Sequence, residues 1–189
     1  MSELPVFFAT TDGQTRRIAE VFAAHARFLG IDSHAIDVTS ARAASFDWSR
    51  ARAVVLAASV HAGSHQTEAE AFVRRHLVEF NVRPSVFLSV SLSICSKLPH
   101  EVDASRAVAT AFPSHLGWQA GRVVCVAGRL AYTQYGLLKR FVMRRIARKA
   151  GGPTDTSRDH EMTDWEQVRA VAADVVCNLE SPARQSVAV

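Results

Sequence analysis

A short apolar run, Pro5-Val6-Phe7-Phe8-Ala9, leads directly into the polar stretch Thr10-Thr11-Asp12-Gly13-Gln14-Thr15. Behind this stretch, apolar residues recur at helical spacing, and Gly30 stands where such a helix would end. The residues that keep the spacing are Ile18, Val21, Phe22, Phe28 and Leu29. The start of the chain is therefore predicted to form a buried strand, a loop rich in hydroxyl groups and a helix.

Strands and helices are predicted to alternate along the rest of the chain. Further strands are expected at Ser33–Val38, Ala53–Ser59, Ser85–Leu92 and Arg122–Ala127. Further helices are expected at Thr67–Phe80, Val102–Phe112, Gly136–Ala150 and Thr163–Leu179, the last opened by a capping box of Thr163 with Glu166. Several of the strands are apolar throughout, which is typical of strands buried on both faces of a parallel sheet between helices. The polar segment Gly151–Met162 is predicted to be a surface loop.

Composition limits the classes of protein that the chain can belong to. Its 189 residues are 48% hydrophobic, so a wholly disordered chain is excluded, and the length suits one domain, predicted at 1–180 with a flexible tail at 181–189. No apolar run reaches the ~18 residues that span a bilayer, and no signal peptide is recognised. Three widely spaced cysteines form no metal-binding or redox pair, and we expect reduced thiols in the cytoplasm.

The first loop, Thr10 to Thr15, has the chemistry of a phosphate-binding loop. Three threonine hydroxyls, a glycine and the N-terminus of a helix meet within six residues, and the helix dipole favours an anion there. The loop has no lysine, so it is not a Walker A motif, and the chain lacks the glycine pattern of dinucleotide-binding folds. A capped turn without a ligand is the alternative, because Thr and Asp commonly cap helices.

A strand followed by T-x-x-G-x-T and a helix resembles the FMN-phosphate loop of flavodoxins. Other segments resemble one flavodoxin-like subfamily, the menaquinone-dependent protoporphyrinogen IX dehydrogenases of haem synthesis. The segments that carry this resemblance are Gly128–Tyr135 (GRLAYTQY), the basic helix after it, Gly151–Thr156 (GGPTDT) and Thr163–Val168 (TDWEQV). The resemblance covers roughly Pro5 to Val176, and GGxTDT with TDWEQV is its specific part.

This resemblance implies a flavodoxin-like α/β fold: a doubly wound, five-stranded parallel sheet of order 2-1-3-4-5, with helices on both faces and an extra segment after the fifth strand. It also implies bound FMN, which carries the chemistry, so that no catalytic side chain is predicted. The predicted cofactor-binding residues come from three loops. They are Thr10, Thr11, Asp12, Gly13, Gln14, Thr15, Ser59, Val60, His61, Ala62, Gly63, His65, Ser91, Leu92 and Ser93.

The second of these loops departs from the family pattern. The family tends to carry tyrosines there, whereas this chain has Ala62 and Ser64, so that only His61 and His65 offer flat rings. We therefore expect FMN to bind more loosely than in relatives. The two histidines are four residues apart, but no carboxylate or cysteine lies nearby in sequence to complete a metal site, and none is predicted.

The predicted helix Gly136–Ala150 concentrates the positive charge of the chain. It carries six Lys or Arg residues and no acid, and without these six the formal charge of +4 becomes −2. One interpretation is an ordinary amphipathic helix, packed through Leu137, Leu138, Phe141, Val142 and Ile146, with a solvated basic row at Arg140, Arg144 and Arg148. The other is peripheral attachment to an anionic membrane on the inner face of the cell. No nucleic-acid recognition motif accompanies the helix.

These observations favour FMN-dependent oxidation of protoporphyrinogen IX to protoporphyrin IX, with menaquinone as electron acceptor. A flavodoxin-type electron carrier and an FMN-dependent NAD(P)H:quinone reductase remain alternatives. Electron carriers tend to be acidic because they dock on basic partners, and an isoelectric point near 9.3 disfavours that role. Rapid reduction of the flavin by NADPH would indicate the reductase. The sequence leaves the oligomeric state open.

Overall fold

The computed structural model describes residues 3–180, apart from the side chain of Lys139. The strands are β1 Glu3–Ala9, β2 Asp32–Asp37, β3 Val54–His61, β4 Ser64–His65, β5 Ser85–Ser91, β6 Arg122–Ala127, β7 Arg129–Leu130 and β8 His160–Glu161. The α-helices are α1 Gln14–Phe28, α2 Ala41–Ala44, α3 Thr67–Arg75, α4 Leu77–Asn81, α5 Pro99–Leu116, α6 Leu137–Lys149 and α7 Trp165–Glu180. Short 3₁₀ turns lie at Trp48–Arg50, Ser93–Cys95 and Tyr132–Gln134.

Five parallel strands form the main sheet in the spatial order β2-β1-β3-β5-β6. Counted along the chain, these are the first to fifth long strands in the order 2-1-3-4-5, so the predicted fold is confirmed. The two-residue strand β4 adds an antiparallel partner to the end of β3. The predicted tail, 181–189, lies outside the described residues, and the division into one domain and a tail stays a prediction.

Helices cover both faces of the sheet, which explains why β1 is apolar from Leu4 to Ala9. Leu4, Val6 and Phe8 pack with α1 and α7 on one face, whereas Phe7 and Ala9 pack with α3, α4 and α5 on the other. All seven residues of β1 are buried. Because neighbouring side chains of a strand point to opposite faces, a strand with a helical layer on each side is apolar along the part that both layers cover.

Two local predictions were wrong, and a third was correct only in part. The helix predicted from Thr67 to Phe80 is broken at His76 into α3 and α4. The segment predicted as a surface loop, Gly151–Met162, contains β8, which pairs with β7 in a small antiparallel sheet. The helix α7 is capped by Asp164, whose carboxylate accepts hydrogen bonds from the backbone N–H groups of Glu166 and Gln167 at 3.0 and 3.1 Å. Thr163 therefore does not form the predicted capping box.

Candidate functional site

The first loop gives α1 an N-terminus with free hydrogen-bonding capacity. Gly13 is the N-cap, in the left-handed region at φ 81°, and supplies no side-chain hydrogen bond to the first turn. Its own N–H donates to Thr10 Oγ1 at 3.0 Å, which shapes the loop. Thr15 is 1% exposed, and its hydroxyl is buried without a hydrogen-bond partner. Buried polar groups are nearly always paired, so this hydroxyl indicates a place for a ligand.

Two predicted residues of this loop have other partners. The side chain of Gln14 turns away from the loop and donates from Nε2 to Glu161 Oε1 and Thr163 Oγ1, both at 2.8 Å. Thr11 Oγ1 accepts a hydrogen bond from Gln66 Nε2 at 3.1 Å and does not line the cavity described below. Gln14 therefore offers its backbone rather than its amide to the loop.

The second loop is a tight hairpin between β3 and β4. Ala62 and Gly63 form its two-residue turn, with φ 49° and 84°. Ser59 Oγ lies 3.3 Å from His61 Nε2 at the start of the turn. Gln66 ties this hairpin to the first loop, because its Oε1 accepts from the Ser59 N–H at 3.2 Å while its Nε2 donates to Thr11.

His65 is half-buried and does not line this cavity. It pairs with Val60 across the hairpin, whereas His61 pairs with Ser64, so the two histidines lie on opposite faces of the hairpin. Its Nε2 is 2.9 Å from Ser89 Oγ, and its ring packs against Phe87 and Phe112. Burial lowers the pKa of His65 to about 4. Of the two histidines predicted to bind the cofactor, only His61 therefore lines the cavity.

The third predicted segment, Ser91–Ser93, ends β5 beside the hairpin. Ser91 is buried, and its hydroxyl lies 2.6 Å from that of Ser105 on α5, which holds the strand end against the helix. Leu92 and Ser93 continue into the following turn and face the same cavity as the first two loops. Three segments that are far apart in sequence therefore meet at the carboxyl ends of neighbouring parallel strands, where open α/β sheets bind ligands.

These segments enclose one cavity of about 340 Å³. Twelve of the fifteen predicted residues line it: Thr10, Asp12, Gln14, Thr15, Ser59, Val60, His61, Ala62, Gly63, Ser91, Leu92 and Ser93. The other three predicted residues, Thr11, Gly13 and His65, do not line the cavity. A Cβ on Gly13 would meet no protein atom within 4 Å, so the requirement for glycine there comes from its positive φ and not from crowding by the protein.

Six further residues that sequence reasoning missed complete the lining. Val90 and Gly128 lie near strand ends, Arg129 starts β7, Tyr135 precedes α6, and Met143 and Ile146 project from α6 itself. Tyr135 is 5% exposed and supplies an aromatic ring that the hairpin lacks, and burial raises the pKa of its hydroxyl. Gly128, Arg129 and Tyr135 belong to the segment GRLAYTQY, which carries the family resemblance but was not assigned to the site. No local pattern identifies Met143 and Ile146, since they reach the cavity through the way α6 crosses it.

Helix α6 lies over the cavity but packs on the protein through a narrow stripe. Ala147 is buried and Met143 is partly buried, whereas Leu137, Leu138 and Phe141 are 83%, 79% and 65% exposed. The interpretation in which Leu137, Leu138, Phe141, Val142 and Ile146 pack the helix onto the domain is therefore wrong. Of the basic row, Arg144 and Arg148 are exposed, while Arg140 is partly buried and donates to the Tyr135 carbonyl at 3.2 Å.

The residues around the cavity fit a flavin mononucleotide. The unpartnered Thr15 hydroxyl and the uncapped N-terminus of α1 suit a single terminal phosphate. Val60, Leu92, Met143 and Ile146 provide an apolar wall for a flat ring. No group of three or more His, Cys, Asp or Glu that could hold a metal occurs within residues 3–180.

Comparison with known proteins agrees with this geometry. The flavodoxin-domain family matches residues 5–157. The protoporphyrinogen IX dehydrogenase [quinone] of Escherichia coli K12 is 32% identical over 94% of this chain and 96% of its own length. The chain belongs to this family of flavodoxin-like dehydrogenases. The resemblance predicted from sequence is thus confirmed, and membership of this dehydrogenase family makes the chain an oxidoreductase.

More distant relatives extend the comparison. A protoporphyrinogen IX dehydrogenase [quinone] of Leishmania major is 28% identical over 89% of this chain and 72% of its own length. Among solved structures, flavodoxin 1 from Bacillus cereus, with a TM-score of 0.53, covers 93% of this chain and 98% of its own at 14% identity. A flavodoxin from the domain Archaea has a TM-score of 0.54, covers 94% and 99%, and is 13% identical. These structures show that the chain has the flavodoxin fold.

Proposed function

We propose that this chain oxidises protoporphyrinogen IX to protoporphyrin IX in haem biosynthesis, with FMN as cofactor and a quinone, menaquinone, as electron acceptor. The observation that carries the proposal is the buried, unpartnered hydroxyl of Thr15 at the N-terminus of α1, inside a cavity with apolar walls. The near full-length similarity to dehydrogenases of that name supports the choice of substrate and acceptor.

The first loop would hold the phosphate of FMN. Thr15 offers its hydroxyl, and the backbone N–H groups at the start of α1 point out of the helix with no side-chain cap in their way. A hydrogen bond to a charged group contributes about 1.5–3 kcal/mol, so a few such bonds hold a phosphate firmly. Thr10 orients the loop by accepting the N–H of Gly13.

The remaining walls would position the ring and the substrate. FMN, when bound, would supply the electron transfer between the porphyrinogen and the quinone. Complete oxidation passes three pairs of electrons and protons to three quinones, which become quinols. Ser59 Oγ and His61 Nε2, which lie 3.3 Å apart, would pass protons on at the polar part of the cavity lining. Leu92, Met143 and Ile146 would form its apolar part.

An activity assay tests this proposal. Purified protein, FMN, protoporphyrinogen IX and menaquinone are mixed without oxygen, and porphyrin fluorescence is followed over time. We expect fluorescence to rise only when protein, FMN and quinone are all present. The Gly13→Val variant is the matched control, because a β-branched residue at φ 81° distorts the phosphate loop. Rapid reduction of FMN by NADPH, with no porphyrin formed, would contradict the proposal and indicate a quinone reductase.

Helix α6 is proposed to bind peripherally to an anionic membrane, where menaquinone is dissolved. Its exposed surface combines large apolar side chains, among them Leu138 and Phe141, with exposed Arg144, Arg145 and Arg148. Apolar groups can enter the headgroup region while each basic residue near an anionic surface contributes about 1 kcal/mol. No helix within residues 3–180 is long and apolar enough to cross a membrane.

Vesicle binding tests this role of α6. Reversal of the three exposed charges, Arg144→Glu with Arg145→Glu and Arg148→Glu, should abolish salt-sensitive binding to anionic vesicles. The same variant should slow turnover with menaquinone in vesicles more than turnover with a soluble quinone analogue. Arg140 is left unchanged because it bonds to the Tyr135 carbonyl. Unchanged vesicle binding and unchanged turnover with both acceptors would show that α6 does not act at a membrane.

A further inference from the structure

A single basic side chain faces the cavity from β7. Arg129 directly follows Gly128, and among the described side chains that line the cavity it is the only Lys or Arg. The first loop contains no lysine, so any positive partner for a phosphate must come from elsewhere. An arginine placed in such a wall can pair with an anion through two parallel hydrogen bonds.

Arg129 is held only weakly by the protein itself. Its Nη1 lies 3.6 Å from Asp159 Oδ2, and its Nε is buried without a hydrogen-bond partner. Asp159 is engaged elsewhere, because its Oδ1 accepts both the N–H and the hydroxyl of Thr133, at 2.9 and 2.8 Å. A guanidinium that is only 22% exposed and makes so few bonds has most of its donors available for a ligand.

The strand β7, which carries this arginine, is linked through β8 to the start of α1. Arg129 pairs with Glu161 of β8. Glu161 in turn accepts hydrogen bonds from Gln14 and Arg17, in the first turn of α1, at 2.8 and 3.1 Å. The small β7–β8 sheet is therefore tied to the start of the helix that is proposed to hold the phosphate.

We infer that Arg129 is an additional cofactor-binding residue that pairs with the phosphate of the flavin nucleotide. This inference rests on the proposed binding of FMN and extends it to a residue outside the first loop. Thr15 and the helix N-terminus would donate neutral hydrogen bonds, whereas Arg129 would supply a full positive charge from the lining of the same cavity. Its contribution is specific for the phosphate, because riboflavin, which lacks that group, gives the arginine nothing to bind.

Dissociation constants of the apoprotein for FMN and for riboflavin test this inference. We expect Arg129→Met to weaken FMN binding about tenfold to a hundredfold, as for loss of a hydrogen bond between charged groups, and to leave riboflavin binding unchanged. The FMN affinity of Arg129→Lys should lie between those of the parent and of Arg129→Met, since lysine keeps the charge but lacks the planar guanidinium group. Arg16→Met is the control, because Arg16 is an exposed arginine in the first turn of α1 that pairs with Glu20 and does not line the cavity.

A second variant gives an effect of opposite sign. Asp159→Asn keeps the acceptor for Thr133 and removes the negative charge beside Arg129, so FMN should bind several-fold more tightly while riboflavin is unaffected.

Equal losses of FMN and riboflavin affinity in Arg129→Met would indicate a structural role and overturn the inference. An unchanged FMN affinity with a higher KM for porphyrinogen would assign Arg129 to a substrate carboxylate and also overturn it. If the parent apoprotein binds neither flavin, the proposed function itself fails.

Discussion

Thr15 carries a hydroxyl group that the protein itself does not hydrogen-bond. Its hydroxyl is buried and has no partner, so replacing it with the isosteric valine removes no internal hydrogen bond. We expect Thr15→Val to leave the free energy of unfolding of the apoprotein unchanged or slightly raised. FMN affinity should fall by about 1.5–3 kcal/mol, which is roughly a tenfold to hundredfold change. Urea unfolding and flavin titration measure the two quantities.

Thr163 provides the comparison for this variant. Its hydroxyl is also buried, but it donates to the Ala127 carbonyl and accepts from Gln14, both at 2.8 Å. Thr163→Val should therefore destabilise the apoprotein by about 1–3 kcal/mol, because it leaves buried partners unsatisfied. If both variants lower stability equally, Thr15 is an ordinary structural residue and the assignment of its hydroxyl to a ligand is wrong.

His65 links stability to pH at a single residue. Burial lowers its pKa to about 4 in the folded state, below the usual value of 6.5, so the unfolded chain binds more protons between these values. The free energy of unfolding should therefore decrease as pH falls from 6.5 to about 4, by up to about 3 kcal/mol from this residue. Urea unfolding at several pH values in this range measures the effect.

A variant that cannot titrate isolates this contribution. His65→Gln can keep the hydrogen bond to Ser89 but loses ring contacts with Phe87 and Phe112, so it should be the less stable protein at pH 7. The difference from the parent should shrink towards pH 4.5, because only the parent loses stability through residue 65. Parallel pH profiles of the two proteins would mean that His65 is not held neutral in the interior.

The hairpin between β3 and β4 contains strain within a single element. Ala62 has φ 49°, a left-handed conformation that costs an alanine about 1–2 kcal/mol, and Gly63 follows at 84°. Asparagine before glycine is preferred in such two-residue turns. Ala62→Asn should therefore stabilise the apoprotein by about 0.5–1 kcal/mol, whereas Ala62→Val should destabilise it. Thermal unfolding of the three proteins without flavin is the measurement, and the reverse order would contradict this account of the turn.

The start of α7 illustrates how far local sequence rules reach at the level of one element. Thr163-Asp164-Trp165-Glu166 fits a capping box at Thr163, yet Asp164 caps the helix one residue later. Thr163 instead binds the end of β6 and the amide of Gln14, which is 149 positions away in sequence. Two adjacent residues could each have served as the cap, and a long-range partner decided between them, which a local pattern cannot reveal.

In the whole molecule, the features that could be predicted from sequence are those that leave a pattern within one short segment. Apolar runs and helical spacing predict the alternating strands and helices, because burial on both faces leaves its pattern within each strand. The strand order and the three cofactor loops came from the resemblance to the family. His65 was misplaced because hairpin pairing, rather than spacing, decides which face a residue occupies. Met143 and Ile146 were missed because their place at the cavity depends on how α6 crosses the sheet end, and nothing within residues 136–150 specifies that.

The cavity joins segments from both halves of the chain, and binding there should therefore stabilise the whole molecule. Thr15, Ser91 and Met143 lie far apart in sequence and line the same cavity, which only the folded chain forms. At a hundred times its dissociation constant, FMN should add about 2.7 kcal/mol, which raises the unfolding temperature of a domain of this size by roughly 5–10 °C. FAD at the same concentration should add less free energy, because it should bind more weakly: the first loop suits one terminal phosphate and the chain lacks a dinucleotide fingerprint. Differential scanning calorimetry with each nucleotide measures the shifts, and Thr15→Val should reduce the shift with FMN. An equal or larger shift with FAD would contradict the assignment of FMN.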